Sequence, residues 1–118
     1  MKLNEVRYSA GQPVEGYGAA HLRVDGAAHA APVALLPRGV TPWTGYGDAA
    51  PLLAAAGEID VLLIGTGPEI AQVPAEFRTA LEAAGIGVEI MATAQACRTY
   101  NVLLGEGRRV GLAILPAG

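Results

Sequence analysis

The chain is poor in the residues that most often carry chemistry. Of its 118 residues one is a cysteine, Cys97, and two are histidines, His21 and His29. A lone thiol excludes an internal disulfide and any multi-cysteine metal site, and it fits a reducing compartment. Two histidines without a further ligand pair nearby do not form a metal-site pattern. Lys2 is the one lysine, and the arginines are scattered, with Arg108-Arg109 the one adjacent pair. Together with a net charge of −3, that scatter speaks against a nucleic-acid partner, which needs a clustered basic face. Long apolar runs are missing too. Runs such as residues 61–64 and 102–104 fall far short of a membrane span.

What is present points to a compact globule. The chain is 52% hydrophobic with a positive mean hydropathy, which excludes a solvated disordered chain. Alanine supplies much of that fraction, so a core of small residues with few aromatics is expected. The length suits one domain, 1–118, with a core that needs no staples. Residues 1–11 show no apolar signal region and too little arginine for a mitochondrial presequence. The expectation is a soluble cytoplasmic protein. Residues 1–20 read as an extended lead-in that joins the fold at Tyr17 or later.

Residues 21–25 alternate polar and apolar and predict a half-buried strand. Gly26-Ala27 turns the chain. Val33-Ala34-Leu35-Leu36, entered through Pro32 and stopped by Pro37, is expected to return beside that strand as its antiparallel partner. Residues 38–47 hold Gly39, Pro42, Gly45 and Gly47 and read as a loop carrying Trp43 and Tyr46. Pro51 starts a short helix that Gly57 ends. Residues 59–64 form an apolar run suited to a strand covered on both faces, closed by Gly65-Thr66-Gly67-Pro68. Over 73–84, Val73, Phe77, Ala80, Leu81 and Ala84 make one apolar stripe at helical spacing, and Gly85 stops it. A strand over 86–91, a helix over 93–104 and a strand over 110–115 follow. These elements make two consecutive βαβ units with right-handed crossovers. The expected fold class is α/β: a mixed sheet with a parallel βαβαβ core and an N-terminal antiparallel hairpin.

Gly65-Thr66-Gly67 follows a predicted parallel strand, beyond whose carboxyl end open α/β sheets bind ligands. The dinucleotide fingerprint is incomplete, because Glu69 and Ile70 follow Pro68 with no third glycine. A tight turn needing positive φ is the plainer reading. Thr93 opens the next helix, and its hydroxyl is expected to cap it. The rival reading builds a small anion or carboxylate site from Thr66, Thr93 and Arg98. On that helix Arg98 and Asn101 share a face with Ala94 and Gln95, while Thr93, Ala96, Tyr100 and Leu103 lie opposite. Cys97 sits at the border, beyond the first turn that best lowers a thiol pKa, so it reads as a buried structural cysteine. Glu58 and Asp60 read as solvated edge charges. No catalytic, cofactor-binding or metal-binding residue is assigned. Trp43 stands open between two roles: an exposed hot spot for a partner, or a plug folded over the end of the sheet.

Three segments occur in order: Leu36-Pro37, Gly39-Val40 and Pro42-Trp43; then Leu62-Leu63-Ile64-Gly65-Thr66-Gly67; then Met91-Ala92-Thr93 with Ala96-Cys97-Arg98-Thr99-Tyr100-Asn101-Val102-Leu103. They resemble a small family of unknown function related to the mitochondrial complex I (NADH:ubiquinone oxidoreductase) assembly factor three. That family includes the adipogenesis-associated protein of animals and many bacterial proteins. The resemblance spans nearly the whole chain and is most specific in the Cys-Arg-Thr-Tyr-Asn core. It implies a mixed-sheet α/β domain, no established enzyme activity, no cofactor, and a protein partner, as for the assembly-factor relatives. Ala92 stands where a polar residue or proline is frequent in the family, and Ala94 where glycine is frequent. A ligand held at those positions would be held less well here. The expected function is a non-catalytic binding or assembly module, with a partner surface drawn from Trp43, Gly65, Thr66, Gly67, Thr93, Arg98 and Asn101. The alternative is a small-molecule or anion-binding protein, even an enzyme, with its site at the same strand ends.

Overall fold

The computed structural model describes residues 11–18 and 20–116. Of the lead-in expected over 1–20, residues 1–10 and 19 lie outside the described residues.

Asp25 and Gly26 both adopt positive φ, 50° and 80°. Such a pair forms the two-residue turn whose twist matches a β-hairpin. It joins β2 (His21–Val24) to β3 (Ala27–Ala30) with Val24 opposite Ala27, and β1 (Gly16–Gly18) pairs along the other side of β2. The antiparallel partner of β2 is therefore β3, and the expected pairing with Val33–Leu36 is corrected. The turn closes the hairpin at once, and β3 is built largely of alanine, which has little strand propensity, so the apolar pattern passes over it. Alternation within β2 is as expected: Leu22 and Val24 are buried, His21 and Arg23 exposed.

β4 (Val33–Leu36) turns through Pro37 and Arg38 into β5 (Gly39–Pro42), antiparallel, with Leu36 opposite Gly39. The expected loop over 38–47 thus begins with a strand. Its glycine and proline are tolerated because β5 is the edge of its sheet. After the short α1 (Ala50–Leu53) come β6 (Val61–Gly65), α2 (Ala75–Ala83), β7 (Gly87–Met91), α3 (Thr93–Gly105) and β8 (Val110–Ile114). The five-stranded sheet has the order β5-β4-β8-β6-β7. Within it β6 runs parallel to β7 and β8, and β4 runs antiparallel to β5 and β8. The mixed sheet with a parallel βαβαβ core is observed.

The chain steps from β6 outward to β7, then back past β6 to β8. Two right-handed crossovers in opposite directions put their helices on opposite faces. Side-chain alternation in β6 follows: Leu62 and Ile64 pack with Phe77 and Leu81 of α2, and Leu63 packs with Cys97 and Tyr100 of α3. The three-stranded sheet adds Leu22 and Val24 to the α3 side. Two cores result. Phe77, Leu81 and Val88 share one, while Leu63 and Tyr100, with Val61 against them, share the other. The largest fully buried side chains are Trp43, Tyr100 and a set of leucines and isoleucines, so the expected small-residue core is only part of the picture.

Candidate functional site at the strand ends

The chain leaves β6 and β7 toward opposite faces, and the ends of these neighbouring strands are where an open α/β sheet forms its crevice. The turn after β6 and the start of α3 meet there in a closed set of hydrogen bonds. The Gly67 N–H donates to Thr93 Oγ1 at 2.8 Å, and the Thr93 N–H donates to the Gly67 carbonyl at 2.8 Å. The Thr66 N–H donates to the Met91 carbonyl at 3.0 Å. The Thr66 hydroxyl accepts from the Ala71 N–H at 3.0 Å and lies 2.8 Å from the Glu69 carbonyl, which takes its proton. Thr93 is therefore no cap. The cap position is Ala92, without a side-chain hydrogen bond, and Thr93 is buried with its hydroxyl turned to the preceding turn. The N–H groups of Thr66, Gly67 and Thr93 are thus all engaged within the chain.

Both glycines are required here, for different reasons. Gly67 has φ 110°, where a side chain would be strained. A Cβ on Gly65 would stand 2.9 Å from Thr93 Oγ1, 3.0 Å from Thr93 Cα and 3.1 Å from a methyl of Ile114. The turn and the helix start pack closer than any larger residue permits.

The polar side chains of α3 hold the N-terminal segment. Asn101 pairs with Val14 as a strand would: the Val14 N–H donates to Oδ1 and Nδ2 donates to the Val14 carbonyl, each at 2.8 Å. The Tyr100 hydroxyl donates to the Gln12 carbonyl at 2.8 Å. Arg98 Nη1 donates to the Tyr17 hydroxyl at 2.8 Å. The chain is thus engaged from Gln12, earlier than expected. Arg98 and Asn101, read from sequence as candidate site residues, and Tyr100, read as lying on the opposite face of the helix, together form a clasp. Gln12, Val14 and Tyr17 were the residues missed. The signal for them was the pairing of Arg98 and Asn101 on a helix face that ought to be solvated.

Trp43 does not join this group. It is buried, at 2% exposure, on the α2 side of the sheet, with ring centroids 6.1 Å from Phe77 and 6.3 Å from Tyr46. Of its two readings the plug is the one observed. Its indole Nε1 has no hydrogen-bond partner among the described residues.

Beside the turn lies a cleft of about 200 Å³, lined by Tyr17, Gly18, Gly67, Pro68, Thr93 and Ala94. Tyr17 is 38% exposed and is the large side chain of its wall. No carboxylate, histidine or lysine lines it. Cys97, one turn into α3, is fully buried, and burial pushes its thiol up to about 12 against the smaller opposing pull of Arg98. Burial likewise raises the Tyr100 hydroxyl. Such a thiol stays protonated and is no nucleophile. Among the described residues no group of three or more His, Cys, Asp or Glu converges to hold a metal, and no helix is long and apolar enough to cross a membrane.

The sequence pattern described as "Protein of unknown function (DUF498/DUF598)" matches residues 14–115. An uncharacterized protein of Rhodobacter capsulatus is 45% identical over 116 residues, covering 98% of this chain and 94% of that one. The NADH dehydrogenase [ubiquinone] 1 alpha subcomplex assembly factor 3 of Bos taurus is 30% identical over 110 residues, covering 87% of this chain. This chain spans 60% of that assembly factor's length. Among solved structures, an outer membrane protein from Bartonella henselae superposes with a TM-score of 0.82 at 30% identity, over 95% of this chain and 100% of that one.

Proposed function

The chain belongs to the DUF498/DUF598 family of proteins of unknown function, and from that membership and the strand-end geometry we propose that it is a non-catalytic, assembly-factor-like module. It holds another protein at the crevice beyond β6 and β7. Several relatives, the Bos taurus protein among them, are named as assembly factors, which supports a protein as the partner. We assign this work to the cytoplasm, where a lone reduced thiol is at home.

One observation carries the reading: an exposed Tyr17, held by Arg98, forms the wall of a shallow cleft otherwise lined by small residues. Tyrosine and arginine dominate the energetics of protein interfaces. At about 200 Å³ the cleft is smaller than the roughly 300–1,000 Å³ of ordinary small-molecule pockets. Of the backbone donors at the turn, the Gly67 and Thr93 N–H groups are already engaged within the chain. Gly67 and Thr93 line the cleft, Gly65 and Thr66 shape the turn behind it, Arg98 presents Tyr17, and Asn101 anchors the segment that carries it.

The test is affinity capture from an extract of the native organism, with wild type beside Tyr17→Ala and Ala94→Trp. The second variant fills the cleft. Quantitative mass spectrometry should show a small set of proteins enriched by wild type and reduced about tenfold or more by each variant, the loss expected at a hot spot. Equal recovery by all three proteins contradicts the reading. A thermal-shift screen of phosphates, carboxylates and nucleotides addresses the rival. A compound that stabilises wild type but not Ala94→Trp would favour a small-molecule site.

A further inference from the structure

β7 is the outer strand of the five-stranded sheet, and its free edge is open. The Gly87 N–H donates to the Asp60 carbonyl at 2.8 Å, and the Met91 carbonyl accepts from the Thr66 N–H at 3.0 Å. In a parallel ladder the N–H and C=O of one residue point to the same side, and successive residues alternate. Residues 87, 89 and 91 therefore bond to β6, and the main-chain groups of Val88 and Ile90 point outward. Among the described residues these outward groups meet one donor, Arg78 Nη2, at a long 3.4 Å from the Val88 carbonyl.

The edge is also grooved. An open channel of about 460 Å³ runs between Val88, Glu89 and Ile90 and a wall made by Ile70, Ala71 and Gln72, with Arg78, paired to Glu82, also in its lining. Ile70 is 67% exposed, a large apolar side chain presented to the channel without cover. Val88 and Ile90, which share the channel with it, face the α2 side of the sheet. Glu89 points to the other side, is exposed, and makes no salt bridge among the described residues.

We propose that the outer edge of β7 is a docking site for an extended segment of another protein, added as a sixth strand. That segment carries a basic residue opposite Glu89 and an apolar residue on each side of it. Its main chain pairs with Val88 and Ile90, its apolar residues cover Ile70, and its cation answers the free carboxylate. A second copy of this chain is the wrong occupant on charge. The two-fold antiparallel register that pairs Val88 with Ile90 and Ile90 with Val88 sets Glu89 against Glu89 at the closest cross-strand spacing. Glu89 thus keeps identical edges apart and leaves the edge open to a segment of opposite charge. The inference extends the protein-binding reading but uses a surface apart from the Tyr17 cleft, so each stands or falls by its own variants.

The experiment titrates the isotope-labelled full chain with two capped peptides, Ser-Thr-Val-Lys-Val-Thr-Ser and the same sequence with Glu for Lys. The Lys peptide should shift the amide signals of Val88 and Ile90, slow their hydrogen exchange, and bind up to about fivefold more tightly than the Glu peptide. Glu89→Lys, an exposed change that leaves packing alone, should reverse that preference. Ile90→Pro removes one outward N–H, leaves the β6 ladder intact, and should abolish both effects. The proposal is overturned if neither peptide moves the Val88 and Ile90 signals at millimolar concentration, or if both bind equally to wild type and to Glu89→Lys. It is also overturned if those signals move with protein concentration alone, which would make a second copy the occupant.

Discussion

Thr93 shows how one hydroxyl can be read two ways. At the head of a helix a threonine reads as a cap, and that was the sequence expectation. Instead it accepts the Gly67 N–H, and only the closeness of two strand ends, a tertiary fact, selects that partner. Thr93→Val keeps the shape and leaves the Gly67 amide buried and unpaired, so it should cost about 1–3 kcal/mol in denaturant unfolding, whereas Thr93→Ser should cost clearly less. Cys97 was legible, because its place in the helix body and beside apolar neighbours already marked it as structural. Its thiol, pushed up to about 12, should react with iodoacetamide near pH 8 about three orders of magnitude more slowly in the native protein than in urea. The same shift has a sign for stability. The folded-state pKa lies above the unfolded one, so this contribution is complete below about 8.5 and is lost as pH rises toward about 12. Melting temperature should fall over that alkaline window, and Cys97→Ala should flatten part of the fall. A slope identical in wild type and variant would remove Cys97 from the account.

At the scale of elements, those with a long apolar period were readable and those made of punctuating residues were not. α2, α3 and β6 to β8 fall within a few residues of their expected bounds, because burial on a helix stripe or on both strand faces leaves a strong pattern. β3 and β5 were missed. One is alanine-rich, the other begins at glycine and ends at proline, and both exist because two-residue turns force the chain back on itself. Asp25-Gly26 was the available signal for the first. The clasp between α3 and residues 12–17 was equally hidden, since it joins a helix to main-chain groups more than 80 positions away. Asn101→Ala should leave both Val14 main-chain groups unpaired. The expected result is faster hydrogen exchange and faster proteolysis over residues 11–18 with α2 and β6 protected as before. Uniform loosening of the whole chain would show that Asn101 supports the core instead.

For the whole molecule, the strand order decides what the sequence left open. A sheet ordered β5-β4-β8-β6-β7 has α2 and α3 on opposite faces, and that arrangement splits the apolar residues into two cores and sends Trp43 to the side away from Thr93. The βαβαβ pattern was legible along the chain. The return of β8 past β6 was not, because no local signal states which strand a third one will join. Phe77 lies in the α2-side core, 5.1 Å from Tyr46 and 6.1 Å from Trp43 between ring centroids. Phe77→Ala should therefore cost about 3–5 kcal/mol. Trp43→Phe should cost less than Trp43→Ala, since the indole N–H has no partner to lose among the described residues. The central claim is that the crevice beyond β6 and β7 holds a protein. The most direct measurement is photo-crosslinking in the native cell with a benzophenone amino acid in place of Tyr17, and a control in place of the exposed Glu106 just past the other end of α3. The account predicts a discrete protein adduct from position 17 and none from position 106. No adduct from position 17, or the same adduct from both positions, would contradict it.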